Sequence, residues 1–139
     1  DGHGAEAIQS FIRRERLEPR LVPLGHVEAA RLPSLYQAAS VLLFPSFDEG
    51  FGLPVLEAMA HGLPVVASRA ASLPEVGGDA ALYVDPNDPQ DIAEKVRQVV
   101  EDKVLREGLI TRGHQRAREF PWRRTAELTC QAYEEVLAK

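Results

Sequence analysis

Val41-Leu42-Leu43-Phe44-Pro45-Ser46-Phe47-Asp48-Glu49-Gly50-Phe51-Gly52-Leu53-Pro54-Val55-Leu56-Glu57 is the stretch that fixes how the rest of the chain is read. Its first four residues are apolar without alternation. Such a run predicts a strand covered on both faces, as in a parallel sheet flanked by helices. The sequence then turns glycine-rich, and from about Pro54 to His61 it predicts a short helix. Proline suits a first helical position, and Gly62 suits the stop. Whatever follows a buried strand in such a sheet lies at its carboxyl edge, where open α/β folds bind ligands.

Working outward, Pro64-Val65-Val66-Ala67 and Ala80-Ala81-Leu82-Tyr83-Val84 repeat the unbroken apolar run and predict two further strands. Upstream, Ala5, Ile8, Phe11 and Ile12 recur at three and four and predict a helix over about 4–16. Pro19 ends it. Arg20 to Val27 reads as a strand, the weakest of the set because Pro23 interrupts it. Leu32, Leu35, Tyr36 and Ala39 restore the helical period for a short helix. Downstream, Asn87 or Asp88 can cap a helix carrying Ile92, Val96, Val99 and Val100. A second helix from about Lys103 carries Leu105, Leu109 and Ala117, and a third keeps Trp122, Ala126, Thr129, Tyr133, Val136 and Leu137 on one face. These last three read as packing elements, with Trp122 and Tyr133 in the core and Cys130 as a packing thiol. The order of elements is that of an α/β, Rossmann-like parallel sheet flanked by helices, with three C-terminal helices.

Composition narrows the function classes. The 139 residues are 45% hydrophobic and 27% charged. A chain of this size buries roughly two-thirds of its unfolded surface, enough for one domain with a real core. The single cysteine excludes an internal disulfide and fits a reducing compartment, hence a cytoplasmic expectation. No Cys/His cluster has zinc spacing, and no metal is expected. No apolar run approaches the ~20 residues that span a bilayer, and Asp1-Gly2-His3-Gly4 lacks the features of a signal peptide. The reading is therefore of a soluble chain. A net charge of -5, scattered along the sequence, gives no basic face for nucleic acid.

The chemistry is expected between Ser46 and Glu57. Gly50 and Gly52 let the backbone bend and approach a ligand closely. The helix beyond them points unpaired N–H groups and the positive end of its dipole into the same space. That combination is an anion site, and diphosphate is its natural occupant. Glu49 and Glu57 would not aid phosphate binding, but they suit hydroxyl groups of a sugar or ribose. Either acid alone would more often be an ordinary solvated residue. Together in this glycine setting they describe a ligand with phosphates in the middle and hydroxyl-rich groups at both ends, a nucleotide sugar.

Glu49-x7-Glu57, within Pro45 to Ser68, resembles the signature of the group 1 (family 4) retaining glycosyltransferases of GT-B fold. Leu73-Pro74-Glu75-Val76, Val84-Asp85-Pro86 and Phe120-Pro121-Trp122 fall where that family's C-terminal domain has similar segments, with Pro121 where the family usually has serine. The resemblance covers nearly the whole chain. It implies that Glu49 contacts the donor sugar's hydroxyls near the reacting carbon, in a supporting role. Backbone amides of Gly50, Phe51, Gly52 and Leu53 would meet the sugar hydroxyls and the diphosphate, and Glu57 would hold the ribose. Gly25-His26-Val27 would lie along the base. It further implies a nucleotide diphosphate sugar as substrate, no metal or other cofactor, and any membrane contact only through regions absent here.

On the same resemblance this is the C-terminal half of a GT-B enzyme, N-terminally truncated. The acceptor-binding domain, the first strands of the donor domain and the Arg and Lys used on the diphosphate would all lie upstream. Asp1-Gly2-His3-Gly4 would then be the tail of a loop after the second strand. Removing central strands leaves a gap, and the expectation is that Arg20–Val27 pairs directly with Val41–Phe44, or that elements are exchanged with a second copy. Two other classes compete: a nucleotide-sugar binding module without catalysis, and a dinucleotide-dependent oxidoreductase. The oxidoreductase needs Gly-x-Gly-x-x-Gly after a strand, which Asp1-Gly2-His3-Gly4 does not supply.

Overall fold

The computed structural model describes residues 5–138. It divides into two units, one extending to Leu32 and the other beginning at Pro33. The expected loop at Asp1-Gly2-His3-Gly4 lies outside the described residues. In the first unit, helix α1 spans Ala5–Arg14, and Ile12 is its buried residue. Turns and irregular backbone follow from 15 to 28.

The strand expected over Arg20–Val27 is not formed. Pro23 offers no N–H to a ladder, Gly25 is left-handed at φ +62°, and Leu21, Val22 and Leu24 are exposed. Among the described residues it therefore forms no ladder with Val41–Phe44.

The second unit is built on three parallel strands, β1 (Leu42–Phe44), β2 (Val65–Ser68) and β3 (Ala81–Val84), in the order β1-β2-β3. Leu42 registers with Val65 and Val65 with Ala81. Helices α2 (Leu32–Ala38), α3 (Leu53–Ala60), α4 (Leu73–Gly77), α5 (Pro89–Glu101), α6 (Lys103–Arg118) and α7 (Trp122–Leu137) complete the chain. Alternation along β2 sends its residues to two cores. Val65 and Ala67 pack with Val55, Ala58 and Met59 of α3 and Leu73 and Val76 of α4. Val66 packs on the other face with Val84, Val99 of α5 and Leu109 of α6. All four residues of β2 are buried, Val65, Val66 and Ala67 as the unbroken apolar run demands, and Ser68 with its hydroxyl bonded to Ser46 O. β1 has no second neighbour among the described residues, and Leu43 is 40% exposed.

Local capping sets the later helices. The Asp88 carboxylate accepts from the N–H groups of Gln90 and Asp91 at the start of α5, and Asp102 accepts from Leu105 N–H at the start of α6. Arg116 of α6 donates to the carbonyls of Glu75 and Val76 and so holds the end of α4. Helix α7 departs from expectation. Trp122 is 75% and Tyr133 67% exposed, and Cys130 is exposed as well, so none of the three is a core residue. Helical periodicity reports that a face is apolar. It does not report that a partner is at hand. No helix among the described residues is long and apolar enough to cross a membrane.

Candidate functional site

Because β1 and β2 are parallel neighbours, the loops leaving their carboxyl ends share one edge of the sheet. The first, residues 45–52, leads into α3; the second, 69–72, leads into α4. Three serine hydroxyls fasten the first loop. Ser46 donates to Asp48 O at 2.7 Å, Ser68 donates to Ser46 O, and Ser72 Oγ lies 2.9 Å from both Glu49 O and Phe51 O. Four carbonyls of the loop are thus turned toward protein hydroxyls.

Gly52 occupies the N-cap of α3 at φ +100°, with Pro54 in the first turn and no acidic side chain there to offset the dipole. A Cβ on Gly52 would lie 2.7 Å from Leu73 Cδ2, so glycine is required both by the backbone angle and by the neighbour. A Cβ on Gly50 would meet nothing within 4 Å, which leaves open space beside that backbone. Among the described residues the N–H groups of Gly50, Phe51, Gly52 and Leu53 donate to no acceptor. Orphan donors at a helix start, backed by its dipole, form an anion-binding arrangement.

The two carboxylates stand in different settings. Glu49 is half-buried, and its carboxylate takes no hydrogen bond from the described residues. Glu57, on the second turn of α3, accepts from the Tyr36 hydroxyl at 2.9 Å through Oε2. Burial pushes the Tyr36 phenol up to about 12, with the hydrogen bond to Glu57 acting in the same direction. The phenol therefore keeps its proton and can donate throughout the neutral range, and that capacity is lost as pH rises through about 12. One carboxylate oxygen of Glu57 is held in place while Oε1 keeps its acceptor capacity. His61 stacks against Tyr36 with ring centroids 5.5 Å apart.

Glu49, Gly50, Phe51, Gly52, Leu53 and Glu57 are thus gathered on one loop and the helix it starts. His26 and Val27 belong to the first unit, where His26 is exposed and Val27 half-buried in irregular backbone. Three residues that organise the loop and Glu57 escape sequence reasoning: Tyr36, Ser68 and Ser72. Tyr36 reads as a helix-face apolar residue, and Ser68 and Ser72 carry no local signal of their partners. Their actual partners are 21 to 23 residues away in sequence.

Residues 1–102 match the family model described as "Glycosyl transferases group 1". The chain belongs to the group 1 glycosyltransferases. O-antigen chain mannosyltransferase B of Escherichia coli is 43% identical over 128 residues, covering 92% of this chain and 34% of that protein. Sucrose-phosphate synthase from Thermosynechococcus elongatus superposes with a TM-score of 0.88 at 29% identity, over 99% of this chain and 35% of that one. The C-terminal domain of a group 1 glycosyltransferase from Francisella tularensis gives a TM-score of 0.71 at 29% identity, covering 82% of this chain and 60% of that structure. The group 1 glycosyltransferase chain therefore has the GT-B type of α/β architecture, and it spans about a third of the length of the first two of these relatives.

Proposed function

We propose that this chain is the donor-binding part of a retaining glycosyltransferase that moves a sugar from a nucleoside diphosphate to an acceptor. The observation that carries the reading is the row of unpaired N–H groups from Gly50 to Leu53 at the start of α3, flanked by Glu49 and Glu57. These amides would receive the diphosphate and the adjoining sugar hydroxyls. Glu49 would hold the sugar beside the reacting carbon and Glu57 the ribose.

As the bond to the diphosphate breaks, negative charge grows on the departing oxygen and positive character on the sugar. The α3 N-terminus stabilises the first and Glu49 the second. No divalent metal takes part in this scheme. The acceptor would bind to a further domain in the same protein, and the enzyme would act in the cytoplasm, with any membrane contact made outside these residues. The name of the Escherichia coli relative makes a nucleoside diphosphate mannose the first donor to try.

The test is a panel of UDP-, GDP- and ADP-sugars offered to the full-length protein in the presence of a chelator, with the anomer of the product read by NMR. Transfer with inversion overturns the stereochemistry proposed. Abolition of transfer by the chelator overturns the metal-free scheme. Binding of a nucleotide sugar with no transfer to any acceptor would favour a binding module.

Tyr36→Phe removes the donor to Glu57 without emptying the space. The expected result is a rise of about 2- to 10-fold in donor KM, with kcat little altered, since one hydrogen bond to a charged group is lost. Steady-state kinetics with varied donor checks this, and an unchanged KM would remove Tyr36 from the ribose site.

A further inference from the structure

Two of the four unpaired amides of this loop belong to glycines, and glycine allows the peptide before it to rotate over almost freely, because both orientations place the following residue in backbone regions open to it. A site made of such amides therefore needs something to fix which way each N–H points. We propose that Ser72 is the positioning residue that does so, turning the N–H groups of Gly50 and Gly52 toward the donor; this rests on the donor-site reading above.

The argument is geometric. The peptide linking Glu49 to Gly50 and the one linking Phe51 to Gly52 are trans, so in each the carbonyl and the N–H point in opposite directions. Both carbonyls face one hydroxyl, Ser72 Oγ, at 2.9 Å. Both N–H groups are thereby aimed away from α4, and neither meets an acceptor among the described residues. Ser46 and Ser68 act on the carbonyls of Asp48 and Ser46, whose peptides carry the N–H groups of Glu49 and Phe47. Control of the two glycine amides falls to Ser72.

Two further features agree. Ser72 stands at the N-cap of α4, yet its side chain makes no bond to its own helix, so the usual use of serine at that place is given up for the loop. Gly52 rests over Leu73, the next residue, so the start of α4 supports the loop by contact as well as by hydrogen bond.

The experiment measures binding of UDP, GDP and ADP to the full-length protein by calorimetry, for wild type, Ser72→Ala, Ser72→Thr and Ser72→Cys, with thermal midpoints recorded alongside. The nucleotide bound most tightly by wild type is expected to bind about tenfold more weakly to Ser72→Ala, from loss of the single hydroxyl proton that the carbonyls of Glu49 and Phe51 share. Ser72→Thr, which keeps the hydroxyl, restores most of the affinity, and Ser72→Cys, a weak donor of similar size, falls between. A role in folding alone would lower the midpoint without this order of affinities. Equal affinities in wild type and Ser72→Ala, or in wild type and Ser72→Cys should the alanine variant not fold, would overturn the role of Ser72 and leave the donor site standing. No binding of any of the three nucleotides by wild type would overturn both.

Discussion

Glu49→Ala, made in the full-length protein, is expected to lower turnover by a factor on the order of 10² to 10³ while changing nucleoside diphosphate affinity severalfold at most. The asymmetry follows from where the carboxylate sits. Glu49 is in the loop ahead of the amide row, half-buried, with no side-chain donor from the described residues. In the proposed scheme it meets the sugar, and its attraction grows as positive character develops there. The diphosphate and ribose keep their own partners when it is removed. Rapid-quench or steady-state kinetics together with calorimetry on the same variant separates the two quantities. Equal turnover in wild type and variant would remove Glu49 from the reaction. An equal loss in turnover and nucleotide affinity would make it a general binding residue.

Gly52→Ala carries the second large effect, and it reaches both stability and binding. The backbone at Gly52 has φ +100°, a region that L side chains rarely adopt, and the added methyl would fall 2.7 Å from Leu73 Cδ2. Leu73 is wholly buried in the core beneath α3 and α4, so it cannot simply swing aside. Left-handed strain of about 1–2 kcal/mol and overpacking of about 1–3 kcal/mol give an expected loss of about 2–5 kcal/mol. Because the same residue caps α3, the loop amides move with it, and nucleotide affinity is expected to fall at least about tenfold. Adding Leu73→Ala to Gly52→Ala should recover part of the binding, since it removes the clash but not the backbone strain. Thermal unfolding and calorimetry on the two single variants and the double variant check this. An unchanged midpoint and affinity in Gly52→Ala would show that the loop has room that its geometry denies.

How legible the fold was in the sequence depended on whether the deciding interaction was local. Helix α3 could be bounded within a residue or so because Pro54 and Gly62 act on their own backbone. The cap of α5 could be narrowed to Asn87 or Asp88 because a cap acts locally, and Asp88 is the one whose carboxylate reaches N–H groups two and three residues on. The runs 41–44, 64–67 and 80–84 predicted strands because an apolar stretch without alternation has few other uses in a chain with this turn pattern. The strand expected over 20–27 failed because Pro23 and Gly25 act against a ladder and because β structure also needs a neighbour, which composition cannot supply.

The site divides in the same way. Glycine at 50 and 52, proline at 54 and acids at 49 and 57 are visible as residue types, and together with the family resemblance they located the loop. Sequence by itself determined that residues 45–57 form a strand-to-helix turn rich in unpaired donors, because glycine, proline and helix-end chemistry act over a few residues. Only the tertiary structure decided that Ser72 holds the carbonyls of Glu49 and Phe51, that Tyr36 holds Glu57, and that the apolar face of α7 stays exposed. Each of these depends on which segments lie side by side. Here the parallel pairing of β1 with β2 brings two loops to one edge of the sheet, and a hydroxyl's partner is then set by distance in space.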